Sequence, residues 1–285
     1  MTVKAYPSGR AMLDWVKDAL HAQETGGLSW HASAWIAKNR WETTQRSINA
    51  FLMGQAMTQS ELILIGGSAG WMMPTSWLAK FKKIRIIDID PLASIFFNMN
   101  HGKGLKNSRT SWIFERRDGL RELTLLIKES PDSFIWFDNV LGQQCFKLKD
   151  EDLVQRQLKH IKMVLKNHHW GSIHDWLSGP IDLGAPASTH PSVFKDTSNT
   201  VSFSSAEQVA HPPENILVFN NKSMDYDTGT QLLLNAVNAS GQWQDHLSAE
   251  VFPSTQPCEL IPWFFKPNYC HFLLASFMKP VASVS

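Results

Sequence analysis

ELILIGGSAGWMMPTSWL, residues 61–78, decides the fold of this 285-residue chain. The four apolar residues after Glu61 predict a short buried strand. The small residues of Gly66-Gly67-Ser68-Ala69-Gly70 predict a sharp turn that lets a ligand approach the backbone. Pro74 stands in the first turn of the helix that follows, whose free N–H groups point to the same place and could bind an anionic group. A tight strand-to-helix turn without a ligand is the alternative interpretation.

From Glu61 onward, short apolar runs alternate with amphipathic helices. The runs are Leu62–Ile65, Ile84–Ile87, Trp112–Glu115, Phe134–Phe137 and Ser172–Trp176. This alternation predicts an α/β fold, a doubly wound and mostly parallel sheet with helices on both faces. Two later runs, Glu259–Phe265 and Tyr269–Met278, are joined by Lys266-Pro267-Asn268 and predict an antiparallel hairpin that ends the sheet.

The same patterns predict two regions. Residues 1–59 carry apolar positions at helical spacing, over 10–24 and about 30–57, and predict an N-terminal helical cap or lid. Residues 60–285 form the main domain, in which about 178–215 is rich in Pro, Ser, Thr and Asp and predicts a loop-rich insertion. A short run at 216–219 and a helix over about 229–238 follow the insertion.

Helix ends are visible in two places within the main domain. Asp90 followed by Pro91 predicts a helix start, with Asp90 as its cap, and His101-Gly102 predicts the end of that helix. Acidic residues at 150–152 predict the start of another helix. Asp88 has no such local role and falls where an acid can bridge two ribose hydroxyls.

Acidic and small residues therefore follow the ends of successive predicted strands. Asp88 comes after the second, Arg117-Asp118-Gly119 after the third and Asp138-Asn139 after the fourth. With the glycine-rich turn, this order over about residues 60–178 resembles the class I methyltransferases that use S-adenosylmethionine (SAM). The resemblance implies a Rossmann-like fold, and the terminal hairpin suits that family's antiparallel last strand.

The resemblance also implies SAM as cofactor and places its contacts at the strand ends. The predicted contacts are Gly66, Gly67, Ser68, Gly70, Asp88, Ile89, Asp118, Gly119, Asp138 and Asn139. Within this set Asp88 would take the ribose and Asp118 the adenine amino group. Asp138 and Asn139 would line the pocket near the sulfonium. Two alternatives stay open, since Asp118 also fits a helix cap and Asp138-Asn139 also fits the close of a strand.

Candidate catalytic residues stand in the predicted fifth strand. His174 and Asp175 lie near the place where a substrate would sit, and a histidine oriented by a carboxylate can remove a proton from a methyl acceptor. Because adjacent strand residues face opposite ways, only one of the two can point into a pocket. No metal site is predicted, since these histidines have no carboxylate or cysteine at helical ligand spacing.

The N-terminal helices supply the predicted substrate contacts. Trp41 and Arg46 belong to a tryptophan- and arginine-containing stretch that could form a lid over the substrate, with indole faces suited to a cation. The alternative interpretation is a helix that docks its tryptophans on the core.

Composition excludes several classes of protein. The chain has 27 Lys and Arg against 26 Asp and Glu, so no overall field would draw it to nucleic acid or to an anionic membrane. Its three cysteines lie far apart, which argues against a disulfide framework and favours the reducing cytoplasm. No run of 18 apolar residues predicts a membrane span.

We expect a SAM-dependent methyltransferase acting on a small-molecule or peptide acceptor. The alternative is a non-catalytic, methyltransferase-like binding or scaffolding subunit. Its basis is that Leu64 stands where the family usually has an acid and Ser68 where it usually has the central glycine. A nicotinamide site is less well supported because the turn lacks the second glycine of GxGxxG. The sequence does not predict the acceptor or the oligomeric state.

Overall fold

A computed structural model describes residues 26–148, 150–182, 217–219, 234, 237–253 and 256–280. The predicted helix over 10–24, most of the predicted insertion and most of the predicted helix over 229–238 lie outside these ranges. Ser178 to Pro180, expected at the start of the insertion, belong instead to the fifth strand, because the long C-terminal strand pairs with them. Of the described helices, none is both long and apolar enough to cross a membrane.

The described strands form one mixed sheet. They are β1 (Glu61–Ile65), β2 (Lys83–Asp88), β3 (Ser111–Arg116), β4 (Phe134–Asp138), β5 (Trp170–Pro180), β6 (Leu217–Phe219), β7 (Gln244–Asp245), β8 (Cys258–Lys266) and β9 (Tyr269–Met278). Their order is β3-β2-β1-β4-β5-β9-β8-β6, with β7 beside the end of β5. The first five strands in this order are parallel, and β9 is antiparallel to both β5 and β8.

This sheet confirms the predicted fold class. It is mostly parallel where strands and helices alternate, and it ends in the predicted hairpin, whose turn contains Asn268 at φ 58°. β9 pairs with β5 along its whole length, from Trp170 opposite Met278 to Pro180 opposite Tyr269. The chain thus has a Rossmann-like arrangement, with an antiparallel strand beside the last parallel one.

Helices cover both faces of the sheet, as the alternating pattern predicts. They are α1 (Gly27–Ala37), α2 (Glu42–Met53), α3 (Thr75–Leu78), α4 (Ala93–Asn107), α5 (Leu123–Glu129), α6 (Gln144–Leu148) and α7 (Glu151–Val164). Apolar residues of α5 and α7 pack with Ile63 and Ile65 on one face. Those of α1 to α4 pack with Leu62 and Leu64 on the other. The alternation of β1 side chains between two apolar layers explains why its whole run is hydrophobic.

The ends of α4 agree with the prediction only at the start. Asp90 accepts a hydrogen bond from the Leu92 N–H at 2.9 Å, just before the helix begins. The predicted end at His101-Gly102 is wrong, because the helix continues to Asn107. His101 is buried inside it, and Arg109, at φ 59°, follows its last turn. The packing of His101 against the glycine-rich turn outweighs the local tendency of glycine to end a helix.

The second predicted helix start is confirmed. α7 begins at Glu151, and the Asp150 side chain accepts a hydrogen bond from the Leu153 N–H at 3.0 Å. This contact is the ordinary N-cap of an aspartate.

Candidate functional site

The glycine-rich turn joins β1 to α3 at the carboxyl edge of the parallel strands. Gly66 has φ 77°, and a Cβ there would collide with Val140 and lie 2.8 Å from the Asp138 carbonyl oxygen. Gly70 has φ 64°, and a Cβ there would collide with the His101 ring. Glycine is therefore needed at both positions, for its positive φ and for the close approach of β4 and α4.

Asp88 ends β2 and holds the middle of this turn. Its two carboxylate oxygens accept hydrogen bonds from the Ser68 N–H at 2.7 Å and the Asp90 N–H at 2.8 Å. The residue is only 8% exposed, and burial raises the pKa of its carboxyl to about 6, against the effect of the two N–H groups. Each oxygen retains a lone pair, so Asp88 can still accept from a ligand hydroxyl.

Asp138 ends β4, the neighbour of β1 on the other side. Burial, with a smaller effect from the negative charge of Asp88, raises the pKa of the Asp138 carboxyl to about 8. Among the described residues, no cation or hydrogen-bond donor contacts this carboxylate. A buried acid that has a second acid nearby and no cation in contact is a place where a positively charged ligand would be stabilised.

The remaining predicted cofactor residues on this side of the sheet have structural contacts. Asp118 accepts from the Leu120 and Arg121 N–H groups at 3.2 and 3.1 Å and pairs with Lys147 at 3.1 Å. The first two contacts hold the turn before α5, which begins at Leu123, so Asp118 does not cap that helix directly. Gly119 lies against the side chains of β1 and β2, where a Cβ would lack room. The cofactor contacts of Asp118, Gly119 and Ile89 stay predictions.

Helix α1 is attached to the glycine-rich turn through Ser68 and to the end of β2 through Asp90. Asp90 accepts from the Gly27 N–H and from His31 Nε2–H, both at 3.0 Å. The Trp30 indole N–H donates to the Ser68 hydroxyl at 3.3 Å. Asp90 therefore joins α1 to the end of β2, in addition to its predicted role at the start of α4.

Two cavities adjoin the sheet at opposite edges. One, of about 230 Å³, lies beside the turn and is lined by residues that include Lys38, Gln45 and Gly70. The other, of about 380 Å³, lies before the first residues of β1 and β4 and is lined by residues that include Asp132 and His169. The smaller cavity has one predicted cofactor residue, Gly70, in its lining, and the larger one has none. We place the candidate site at the carboxyl edge, where Asp88 and Asp138 end their strands and where open α/β sheets bind ligands.

Asp175 lies at this edge and is held from two directions. The Asn139 side chain donates to it at 3.0 Å and accepts from its backbone N–H at 2.8 Å. His271 Nδ1 lies 2.9 Å from the second carboxylate oxygen. Burial works to raise the pKa of Asp175, but the charge and hydrogen bonds of its partners outweigh it and leave the pKa below the usual value.

His174 points to the opposite face of β5, as the strand geometry requires. Its side chain is fully buried beside Phe252, with Nδ1 2.8 Å from the Ser172 hydroxyl. Burial lowers the pKa of this imidazole to about 4. Asp175 is therefore the member of the predicted pair that reaches the carboxyl edge, and His174 is placed in the core. A catalytic role for either stays a prediction.

His271 is a candidate that the sequence did not reveal. It stands 96 residues from Asp175, in the strand β9 that the sequence predicts only as half of a hairpin. A histidine in an otherwise apolar strand is the one local signal that could have drawn attention to it. His246 is buried, with Nε2 2.8 Å from the Ser178 hydroxyl and Nδ1 3.0 Å from the Gly142 carbonyl oxygen.

The predicted substrate residues have different surroundings. Trp41 is 1% exposed, and its indole N–H donates to the Phe265 carbonyl at 3.1 Å, which agrees with docking on the core. Its ring lies 5.9 Å from that of Trp30. Arg46 is exposed and donates to the Thr43 hydroxyl at 3.2 Å. Substrate contact by Trp41 and Arg46 stays a prediction.

Comparison with known proteins was made at the levels of family, sequence and structure. No protein-family model and no curated protein sequence matches this chain. Among solved structures, mitomycin 7-O-methyltransferase MmcR is 14% identical, with 92% of this chain and 67% of that chain covered and a TM-score of 0.34.

Two further structures are the glycopeptide N-methyltransferase MtfA in complex with SAM and the [4+2]-cyclase SpnF. MtfA is 9% identical, with 83% and 94% of the two chains covered and a TM-score of 0.39. SpnF is 13% identical, with 84% and 82% covered and a TM-score of 0.35. Structural similarity at this level does not support a statement about activity, so the function is inferred from the residues of the site.

Proposed function

We propose that this protein is a SAM-dependent methyltransferase that acts on a small-molecule or peptide acceptor. The observation that carries the proposal is the pair of acids, Asp88 and Asp138, on either side of the Gly66 turn, with raised pKa values; in the described part of the chain, Asp138 has no cation beside it. SAM carries a sulfonium and an ammonium group and would supply that positive charge. Its ribose hydroxyls suit the free lone pairs of Asp88.

When bound, SAM supplies an electrophilic methyl group on a positively charged sulfur. The protein's own contribution would be to hold it and to orient the acceptor. Asp88 would bind the ribose, Asp138 would stabilise the nearby positive charge, and the turn would receive the amino-acid end of the ligand beside the cavity that includes Lys38. Trp30 and α1 would limit access of water. Positioning of this kind can supply much of the rate of an in-line displacement.

Because the pKa of Asp138 is raised, the proposal can be tested by measuring how SAM binding depends on pH and how many protons it releases. At pH 7 a carboxyl with a pKa of about 8 is mostly protonated, and a cationic ligand would expel that proton. SAM affinity should therefore rise by about tenfold for each pH unit from 6 to 8 and level off above that range. Calorimetry in buffers with different ionisation enthalpies should detect release of about one proton at pH 7.

Matched variants make this experiment specific. Asp138→Asn should weaken SAM binding and abolish most of its pH dependence, because an amide has no proton to release. Asp132→Asn, on the exposed loop before β4, should change neither. SAM binding with the same pH dependence in wild type and Asp138→Asn would refute the role of Asp138.

One observation favours the non-catalytic alternative. Leu64, where the family usually has an acid, is fully buried under Gly67 and offers no polar contact to a ligand. If SAM binds but no acceptor among phenols, catechols, amines and peptides is methylated, the chain would be a binding module. Methyl transfer to any of these that Asp88→Ala abolishes would exclude this alternative. A cytoplasmic location and the absence of nucleic-acid and membrane partners remain predictions.

A further inference from the structure

His271 differs from the other histidines that pack near the carboxyl edge of the sheet. Its side chain is 13% exposed, whereas the whole residues His31, His174 and His246 are at most 1% exposed. Among the described residues, no hydrogen-bond partner contacts Nε2 of His271. The imidazole therefore keeps one nitrogen available for a ligand.

Asp175 determines which nitrogen that is. A carboxylate can only accept a hydrogen bond, so Nδ1 of His271 must be the protonated nitrogen at their 2.9 Å contact. In the neutral imidazole, Nε2 then carries the free lone pair. Asp175 itself cannot turn away, because Asn139 holds both its side chain and its backbone N–H.

Two chains of contacts connect His271 to the proposed cofactor site. Through the strand ends, Asp175 contacts Asn139, which directly follows Asp138. The second chain consists of aromatic rings: the centroid of the His271 ring lies 5.0 Å from that of Phe265, and the centroid of the Phe265 ring lies 6.0 Å from that of Trp30.

Trp30 in turn donates its indole N–H to Ser68 in the glycine-rich turn. His271 is thus connected to the glycine-rich turn through Phe265 and Trp30.

We propose that His271 is the base that takes the proton from the methyl acceptor, and that Asp175 is the residue that positions it. The inference rests on the proposed function. The acceptor would carry a hydroxyl or N–H group, and the aromatic side chains that surround His271, among them Phe265 and Trp263, suit an aromatic ring next to that group.

In the proposed step, the acceptor atom forms a bond to the methyl carbon while the carbon–sulfur bond breaks and its electron pair stays on sulfur. The acceptor proton moves to Nε2 of His271. The resulting imidazolium is stabilised by the carboxylate of Asp175 and later releases the proton to water. No oxidant or further reactant is required.

The tautomer of His271 is the first test, and it needs no substrate. Protein labelled with ¹⁵N-histidine, with His271→Gln used for assignment, should show in long-range ¹H–¹⁵N spectra a proton on Nδ1 and none on Nε2. In Asp175→Asn this preference should be lost. A wild-type His271 with its proton on Nε2 would overturn the proposal.

Turnover is the second test, with tritium transfer from methyl-labelled SAM to a panel of phenols, catechols and aromatic amines. For any member that wild type methylates, His271→Gln should lower kcat by about 10²- to 10⁴-fold and change the Kd of SAM by less than about threefold. His169→Gln, at the opposite edge of the sheet, is the matched control and should keep full activity. A kcat for His271→Gln within about threefold of wild type would overturn the proposal.

The two proposals fail in different ways. If wild type binds no SAM, the proposed function fails. If SAM binds with the predicted pH dependence but the tautomer or kcat result is the contrary one, only the role of His271 fails. If no member of the panel is methylated, the tautomer measurement alone decides.

Discussion

Replacing Asp138 by asparagine should make the ligand-free protein more stable at neutral pH. Burial raises the pKa of this carboxyl from 3.8 to about 8, which means that folding favours its protonated form. Below pH 3.8 the side chain is protonated in both the folded and the unfolded chain and has no effect on the balance. As the pH rises from 3.8 towards 8, the unfolded chain gains by releasing the proton, so the free energy of unfolding falls.

The size of this change in the free energy of unfolding follows from the difference between the pKa values of Asp138 in the folded and unfolded chain. Each pH unit between the two pKa values changes the free energy of unfolding by about 1.4 kcal/mol, so the interval from 3.8 to 7 corresponds to roughly 4 kcal/mol. Asp138 is partly exposed at the strand end, and solvent there reduces this to about 2 kcal/mol. An asparagine side chain cannot ionise, so Asp138→Asn should be more stable than wild type by about that amount at pH 7.

Guanidinium unfolding at pH 4 and pH 7 measures this difference. The two proteins should unfold at similar denaturant concentrations at pH 4 and should separate at pH 7, with the variant more stable. Asp132→Asn, on the exposed loop, should stay within about 0.5 kcal/mol of wild type at both values. Equal stability of Asp138→Asn and wild type at pH 7 would refute the reasoning that an unpaired carboxylate at this position is costly without a cation.

Three further predictions, the first with a control variant, test how the turn, α1 and α7 are held. Gly66 has φ 77°, and an added Cβ would collide with Val140, so Gly66→Ala should lower the free energy of unfolding by about 3 kcal/mol or more in denaturant titrations. As a control, Gly102→Ala within α4, where no neighbouring atom lies nearer than 3.7 Å to the added Cβ, should raise the free energy of unfolding by up to about 1 kcal/mol. A much smaller loss of stability in Gly66→Ala would show that the turn can relax. Asp90→Ala leaves the N–H of Gly27 without its acceptor and should accelerate amide hydrogen exchange throughout α1, so unchanged exchange there would mean that α1 is held by other contacts. Asp150→Ala removes the N-cap of α7 and should cost about 1 kcal/mol by thermal unfolding, with a loss near zero arguing against the cap.

The sequence predicts the parts of the fold that are determined by residues close together in the chain. The strand β1 is apolar along its length because its side chains are buried on both faces, and that pattern is visible in any short window. The same holds for the turn at Gly66, where a positive φ and a crowded position leave glycine as the residue that fits. Asp88 is predictable because no local cap explains it, and the structure places it at the turn.

The parts that sequence does not predict depend on contacts between distant residues. Asp175 meets His271 across 96 positions, whereas the sequence suggests the adjacent His174 as its partner, which strand geometry turns the other way. The sequence accounts for Asp90 by the helix start that follows it, but Asp90 also accepts a hydrogen bond from Gly27 of α1, which lies 63 residues earlier in the chain. His101 next to a glycine predicts a helix end, but burial against the turn carries α4 onward.

We propose that the edge of the sheet around Asp88 binds SAM. Calorimetric titration of SAM into wild type and Asp88→Asn at pH 8 tests it most directly, with matched unfolding curves to confirm that the variant is folded. We expect saturable binding by wild type and at least about tenfold weaker binding by the variant, because a charge-assisted hydrogen bond is lost. No binding of SAM to wild type at millimolar concentration, or equal binding to both proteins, would contradict it.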